Sequence, residues 1–210
     1  MKKSKKNTSK KYGKRRADCV GRTTDMEFYL DALYRKNGIQ FHRVYDDDLQ
    51  KEGVDVIFPG MNAYADEKVA MNSWGHYLGT RSLELTNRSN PGGVGWMFCK
   101  SHKTTHYVFV FVRSGDRGLK NIRKMDAMIV EKRKLVEYLA DHGVHSAQDG
   151  VDVLRDAVPN EFRQKRAMRN GLLFTQSLST PEQSICVRVP RQEIWRMAER
   201  VLHWESPSCK

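Results

Sequence analysis

The sequence predicts a single mixed α/β domain in which helices flank a central mixed sheet, preceded by a basic N-terminal arm. Segments with strand-like alternation are interspersed with segments whose apolar residues recur at helical spacing. The run "THYVFVFV" at residues 105–112 is continuously apolar, as expected of a strand buried on both faces, so we place it at the centre of the sheet. A chain of 210 residues is long enough for one substantial core.

The positive charge is concentrated at the N-terminus. Residues 1–22 hold ten Lys or Arg and one Asp, which gives them +9 of the total formal charge of +12 and leaves +3 for residues 23–210. A nearly neutral body with a basic arm suits a polyphosphate partner, and nucleic acid is the leading candidate. The alternative is a solvated, disordered terminus that aids solubility. We therefore divide the chain into a flexible, disordered arm (1–22) and a globular domain (23–210).

The first elements of the domain follow from local signals. A capping box from Thr24 to Glu27 predicts a helix that ends at Gly38. Residues 39–45 and 53–60 alternate as strands do, and the three Asp residues between them indicate an exposed turn. Residues 61–71 are then expected to return as the second strand of a hairpin and to pass into a helix at about residues 68–78.

The second half continues the mixed order. Residues 81–88 are expected to form a strand that is followed by the loop "SNPGGVGW", and residues 125–143 a short strand and then a helix that ends at Gly143. The segment "EFRQKRAMRN" is polar and basic, "GLLFTQS" and "SICVRVP" have strand character, and the apolar spacing over residues 190–204 predicts a terminal helix.

Several classes of protein are disfavoured. No window approaches the roughly 18 uninterrupted apolar residues of a membrane span, and the arm has no apolar stretch, so a membrane is not an expected partner. The four cysteines are scattered without a Cys-x-x-Cys pair, which indicates reduced thiols and argues against thiolate zinc. We expect a cytoplasmic location, in a bacterium or a phage-infected host.

Asp55 is the first candidate functional residue. It lies within "GVDVIF", where burial of a carboxylate without a partner would cost several kcal/mol. In a strand, Val54 and Val56 point one way and Asp55 points the other way together with Ile57, so simple exposure of Asp55 would also expose Ile57. A site at the edge of the sheet, where Asp55 has a ligand, is the better interpretation.

Two later segments carry further acids. In "ADEKVA", Asp66 and Lys68 share one face of a strand, whereas a bulge or helix start would let Glu67 take the acidic role instead. Glu84 in "SLELTNR" interrupts a second apolar segment. Carboxylates suit Mg²⁺, and a nearby Lys suits the charge that develops on a phosphoryl group.

These residues resemble the PD-(D/E)XK, or restriction-endonuclease-like, nuclease superfamily, in particular a bacterial and phage subset. Asp55 looks like the family's first Asp, with Val54 where the name-giving Pro would stand, and "DEK" at residues 66–68 looks like its acid-x-Lys element. The order of later segments is also similar: "SLELTNR", Gly95-Trp96, "THYVFVFV" and "MIVEKRKLVEYL". The resemblance extends over residues 24–200 in element order.

The resemblance implies a restriction-endonuclease-like mixed central sheet of the αβββαβ type and a metal-dependent nuclease that hydrolyses DNA phosphodiester bonds, in phage biology or defence. It assigns Mg²⁺, or Mn²⁺, to Asp55 and to Asp66 or Glu67, with Glu84 as a further ligand. Lys68, Asp55 and Glu67 are the expected catalytic residues, and Lys68 would orient or deprotonate the attacking water or stabilise the pentacovalent phosphate.

Nucleic-acid contacts are expected from basic residues of the arm and the domain. The expected partners are DNA, with RNA as the alternative, and a second copy of the chain in a homodimer. The alternative function is a non-catalytic nucleic-acid-binding or anti-defence protein that keeps the nuclease-like fold. The residues expected to contact nucleic acid are Lys10, Lys11, Lys14, Arg15, Arg16, Arg88 and Arg166.

Overall fold

The computed structural model describes residues 26–71, 78–114 and 122–206. The basic arm, the capping residue Thr24, the boundary between arm and domain, and residues 72–77 of the expected helix lie outside these residues. The described chain is a mixed α/β single domain with two sheets and a few helices. No helix within the described ranges is long and apolar enough to cross a membrane.

The first half of the domain is built around short strands. Residues 26–36 form α1, which ends as expected at Gly38, where φ is +66°. The Asp46 side chain accepts hydrogen bonds from the amides of Asp48 and Leu49 and caps a short helix, so the expected turn of three Asp residues is a helix start instead. The bounds are β1, His42–Arg43; α2, Asp47–Lys51; β2, Val56–Phe58; β3, Ala63–Met71; and β4, Thr80–Thr86.

The second half supplies the long strands and the remaining helices. The expected strand and helix over residues 125–143 are confirmed as β6 and α3, and Gly143 follows α3 with φ of +74°. The bounds are β5, His106–Ser114; β6, Ile122–Glu131; α3, Lys132–Asp141; α4, Ala147–Leu154; β7, Gln164–Arg169; β8, Leu172–Ser177; β9, Ile185–Pro190; α5, Arg191–Met197; and β10, Arg200–Glu205.

Two sheets divide the strands. The larger sheet has the order β1-β2-β3-β5-β6-β10, with β3 and β5 parallel and its other neighbours antiparallel. The smaller sheet is antiparallel throughout and has the order β4-β9-β8-β7. The prediction that residues 105–112 form a central strand is confirmed, because β5 lies between β3 and β6.

Two apolar cores lie on opposite faces of the larger sheet. On one face, Val108 and Val110 of β5 pack with Leu30 and Leu33 of α1. On the other face, the aromatic residues of β5 pack with the smaller sheet and with α3 and α4. Strand β5 is therefore buried on both sides, which explains its continuous apolar sequence.

Two helix predictions are wrong. Residues 68–71 continue β3 and pair with residues 109–112 of β5, because Val69 and its neighbours complete a parallel ladder with an apolar strand. The expected terminal helix over residues 190–204 ends at Met197, and the chain then pairs with β6 as β10, with Leu202 opposite Ala127. A helix there would have left the edge of β6 without a hydrogen-bonding partner.

Candidate active site between the sheets

Asp55 lies immediately before β2, where the chain begins to pair with β3. Its amide donates to the Ala65 carbonyl at 2.9 Å, and its carbonyl accepts from the Val44 amide at 3.0 Å. Its carboxylate oxygen Oδ2 accepts from the Glu67 amide at 2.8 Å. These main-chain bonds hold the half-buried Asp55 carboxylate beside β3 rather than in free solvent.

Asp66 and Lys68 lie two residues apart on β3 and share the face of the larger sheet that points toward the smaller one. Their parallel partners are Tyr107 and Phe109, which belong to the core between the sheets. The Lys68 Nζ atom lies 2.6 Å from Asp66 Oδ2 and 5.0 Å from the centroid of the Trp96 ring. Asp66 is 5 % exposed and the Lys68 side chain is 23 % exposed, so the acid is buried and the amine is partly accessible to water.

The Asp55 carboxylate is close enough to Asp66 to raise the pKa of Asp66. Burial, the largest cause, and the nearby Asp55 carboxylate raise the pKa of Asp66, whereas Lys68 lowers it, and together they move this pKa from 3.8 to about 7. Two neighbouring carboxylates cannot both be ionised without cost, and a shared proton, Lys68 or a bound cation reduces that cost.

Further cations surround this pair. Arg81, at the start of β4 in the smaller sheet, interacts electrostatically with Asp66. Its guanidinium lies 5.8 Å from the Phe109 ring centroid. Lys132, the first residue of α3, interacts electrostatically with Asp66 and donates a hydrogen bond to the Cys99 carbonyl at 3.4 Å. Burial lowers the pKa of His102, and the charges of Lys132 and Lys68 lower it further. The site is thus rich in positive charge.

Glu67 points to the opposite face of β3, toward α1. Its Oε1 accepts from the Tyr34 hydroxyl at 2.7 Å, and its Oε2 lies 2.6 Å from Arg43 Nη1. Arg43 also donates to Asp31 through Nε at 2.7 Å. The alternation of a regular strand, without a bulge at this point, separates Glu67 from Asp66 and Lys68.

Glu84 belongs to the smaller sheet and is not brought to Asp66. On β4, Leu83 and Leu85 face the core, whereas Glu84 faces away from it and lies opposite Cys186 of β9. Its carboxylate accepts from the Ser184 hydroxyl at 2.9 Å and from the Asn87 amide at 3.3 Å. These two hydrogen bonds satisfy the Glu84 carboxylate on a strand that is half-exposed.

The two described residues expected to contact nucleic acid are exposed, one in the turn after β4 and one on β7 of the smaller sheet. Arg88 is exposed in the turn beyond β4, seven positions after Arg81, and Arg166 is exposed on the edge strand β7, where it donates to Gln164 at 2.8 Å. The expected polar stretch around Arg166 is therefore a strand. The five arm residues lie outside the described ranges: Lys10, Lys11, Lys14, Arg15 and Arg16.

The donor set suits a hard cation with a sparse protein shell. Within residues 26–71, 78–114 and 122–206, no group of three or more His, Cys, Asp or Glu side chains is arranged to hold a metal. Mg²⁺ typically keeps several waters and takes one or two carboxylates, and the Asp55–Asp66 pair offers two whose mutual repulsion a cation would relieve.

Two cations of the site were not identified from the sequence. For Arg81 a signal existed, because the alternation that buries Leu83 and Leu85 places Arg81 on the same inward face of β4. For Lys132 there was none, since its position depends on where β6 ends and α3 begins.

The sequence matches no protein-family model, and no curated protein or solved structure is significantly similar to it. Function therefore has to be inferred from the geometry of the site.

Proposed function

We propose that this protein is a metal-dependent nuclease of the PD-(D/E)XK type and that Asp55, Asp66 and Lys68 form its active site. The proposal rests on one observation: an Asp before β2 lies near an acid-x-Lys pair on β3, close enough to raise the pKa of Asp66, and Lys68 Nζ lies 2.6 Å from Asp66. The restriction-endonuclease-like fold is part of this proposal.

Asp55 and Asp66 would hold Mg²⁺ or Mn²⁺, which supplies a Lewis acid for the phosphodiester and lowers the pKa of bound water. Glu67 and Glu84 are not included in the proposed metal site, because Glu67 is bonded to Tyr34 and Arg43 and Glu84 lies on the outer face of β4. Lys68 would then be free to turn from Asp66 toward the substrate once the metal neutralises that carboxylate.

Lys68 supplies the positive charge that the reaction needs. Its ammonium group lies beside Asp66 and the Trp96 ring in a half-buried side chain. A cation held in place at the site stabilises negative charge that develops on a phosphate. The basic arm would contribute a sequence-independent attraction to the nucleic-acid backbone.

The test is cleavage by the purified full-length protein. Plasmid DNA, linear duplex DNA and single-stranded RNA are incubated with Mg²⁺, Mn²⁺ or EDTA. We expect metal-dependent cutting that Lys68→Met and Asp66→Asn each lower by about 100-fold or more. Lys51→Met and Asp48→Asn are the matched controls, since both side chains are exposed on α2, and they should cut normally.

Cutting that persists in both Lys68→Met and Asp66→Asn would contradict the site assignment. A second function is favoured by the same ion pair, because Lys68 already neutralises Asp66 and no third acid joins them in the described part of the chain. A non-catalytic nucleic-acid-binding protein would bind DNA in these assays and cut none under any metal condition.

A further inference from the structure

A pocket of about 310 Å³ opens between α4 and the smaller sheet. Its lining includes one residue from each of the four strands of that sheet: Lys165 of β7, Gln176 of β8, Ile185 of β9 and Thr86 of β4. Lys165 lies opposite Gln176, Gln176 lies opposite Ile185, and Ile185 lies opposite Thr86. The four residues therefore form one row across the sheet, about 14 Å long at roughly 4.8 Å per strand.

The pocket is positively charged. Arg88, Arg155 and Lys165 line it, and none of its lining residues in the described part of the chain is Asp or Glu. Arg155 is paired with Asp152 of α4, whereas Arg88 and Lys165 form no ion pair with any described residue. Two cations without a carboxylate partner therefore lie at the same pocket.

The ammonium group of Lys165 is held at the end of α4. Its Nζ atom donates to the carbonyls of Leu154 and Arg155, at 3.2 and 3.3 Å. Carbonyls at the C-terminus of a helix favour a cation without neutralising its full charge, and an ammonium group has a third donor. Strand alternation points Arg166, the next residue, to the opposite face of β7. The charge of Lys165 is thus fixed at the pocket.

Arg88 lies at the other end of the row, two residues beyond Thr86. Its amide donates to the Glu182 carbonyl at 3.0 Å, and the Asn87 amide donates to the Gly93 carbonyl at 2.9 Å, which closes the turn. The Arg88 guanidinium makes no hydrogen bond to any described residue, so its five N–H donors are open to a ligand. The main chain therefore holds Arg88 in place while its side chain is exposed.

We infer that this pocket binds the sugar-phosphate backbone of a nucleic acid, with Arg88 and Lys165 contacting different phosphates. A row about 14 Å long exceeds one phosphate group, and the phosphates of one strand of duplex DNA recur about every 3.4 Å along the helix axis. Between the two cations, the Gln176 amide and the Thr86 hydroxyl are neutral groups of the kind that bond to phosphate and sugar without reading sequence.

The choice of nucleic acid as the ligand rests on the proposed function. The proposed active-site residues are not among those that line the pocket, so this is a second contact surface for the same substrate. A contact surface that holds the backbone is testable without any cleavage.

The first experiment measures the binding of a labelled duplex DNA by the full-length protein in EDTA at several salt concentrations. Arg88→Met and Lys165→Met should each flatten the slope of log affinity against log salt by about 0.9, and the double variant by about 1.8. The control is the double variant Lys51→Met and Arg196→Met, which removes two exposed, ion-paired charges elsewhere and should keep the wild-type slope. A wild-type slope in the double variant of the pocket would overturn the inference.

The second experiment separates binding from folding by thermal melting of the same proteins. Lys165→Met also removes two hydrogen bonds at the end of α4, whereas Lys165→Arg keeps the charge and should keep most of the wild-type slope. Arg88→Met loses no side-chain contact with a described residue, so it should melt with wild type and still show the flatter slope. A lower melting temperature in Lys165→Met, with the wild-type slope in Arg88→Met, would overturn the inference and assign Lys165 to the fold.

The two proposals fail in different ways. If wild type cuts no nucleic acid and the double variant of the pocket has the flatter slope, the nuclease assignment is wrong and the backbone-binding pocket stands. If Lys68→Met abolishes cutting and the double variant keeps the wild-type slope, the nuclease assignment stands and the pocket is wrong.

Discussion

The carboxylates of Asp66 and Glu67 are adjacent in the chain and lie on opposite faces of β3. Asp66 pairs with Lys68 at 2.6 Å on the side of the smaller sheet, and Glu67 pairs with Arg43 at 2.6 Å on the side of α1. The sequence alone left open which of the two acids would bind a metal. Strand alternation places only Asp66 beside Asp55.

Replacement of Glu67 should therefore reduce stability and not metal chemistry. Its partner Arg43 has a side chain that is only 7 % exposed, so Glu67→Ala removes one of the two carboxylates that Arg43 contacts, the other being Asp31, and leaves the Tyr34 hydroxyl without its acceptor. The free energy of unfolding should fall by about 1–3 kcal/mol. Urea denaturation measures the change. The exposed control Asp48→Asn should lie within about 1 kcal/mol of wild type. A Glu67→Ala protein as stable as the control would refute this assignment.

The raised pKa of Asp66 makes stability depend on pH in the metal-free protein. Because the folded-state pKa of about 7 lies above the ordinary value of 3.8, the folded protein holds a proton between these values that the unfolded chain has lost. The Asp66 contribution to stability is therefore fully present below about pH 4 and falls on the order of 1 kcal/mol per pH unit as pH rises toward 7, the factor set by linkage.

Asp66→Asn cannot titrate and isolates this contribution. Urea denaturation of wild type and Asp66→Asn in EDTA, at about pH 5 and about pH 8, should show the variant gaining stability relative to wild type at the higher pH. Added Mg²⁺ should stabilise only wild type, and more so at the higher pH, where Asp66 is ionised. A difference between the two proteins that does not change with pH would disprove the titration of Asp66.

Gly95 allows the loop before Trp96 to approach β4 closely. Its amide donates to the Leu85 carbonyl at 2.8 Å, and a Cβ atom at this position would lie 2.5 Å from the Glu84 carbonyl oxygen. We expect Gly95→Ala to lower the free energy of unfolding by about 1–3 kcal/mol or more, as overpacking does. Gly60→Ala is the control, since nothing lies within 4 Å of its added Cβ, and chemical denaturation should show little change.

The basic arm should govern the salt dependence of nucleic-acid binding. Deletion of residues 1–22 removes ten of the chain's Lys and Arg residues. If the arm neutralises phosphates, the slope of log affinity against log salt should flatten by about 0.9 for each lost contact with duplex DNA. Fluorescence anisotropy with labelled duplex DNA at several salt concentrations measures the slope. An unchanged slope would assign the arm to solubility.

Predictions that depended on residues close together in the sequence were more accurate than predictions that depended on distant strand pairing. The apolar run of β5 and the Gly-terminated helices α1 and α3 were identified, because burial on both faces and left-handed glycines leave direct marks. Asp66 and Lys68 were placed on one face by strand period alone. Arg81 was not predicted, although strand alternation places it on the same inward face of β4 as Leu83.

The missed elements depend on long-range pairing. Ile194, Met197, Val201 and Leu202 have helical spacing, yet Val201 and Leu202 pair with β6 once the chain leaves α5. The strand β7 has a polar sequence because it is an edge strand with one side open to solvent. The residues of β10 carry no sign that they will pair with β6, and the residues of β7 carry no sign that they will pair with β8.

Strand β3 carries Asp66 and Lys68 on one face and Glu67 on the other, and this separation has an evolutionary consequence. A mutation at Asp66 or Lys68 leaves the contacts of Glu67 with Tyr34 and Arg43 intact. If Asp66 and Lys68 carry the proposed chemistry, one nucleotide change could therefore remove it in a descendant that still folds. Selection can act on reactivity and on folding through neighbouring codons of the same strand.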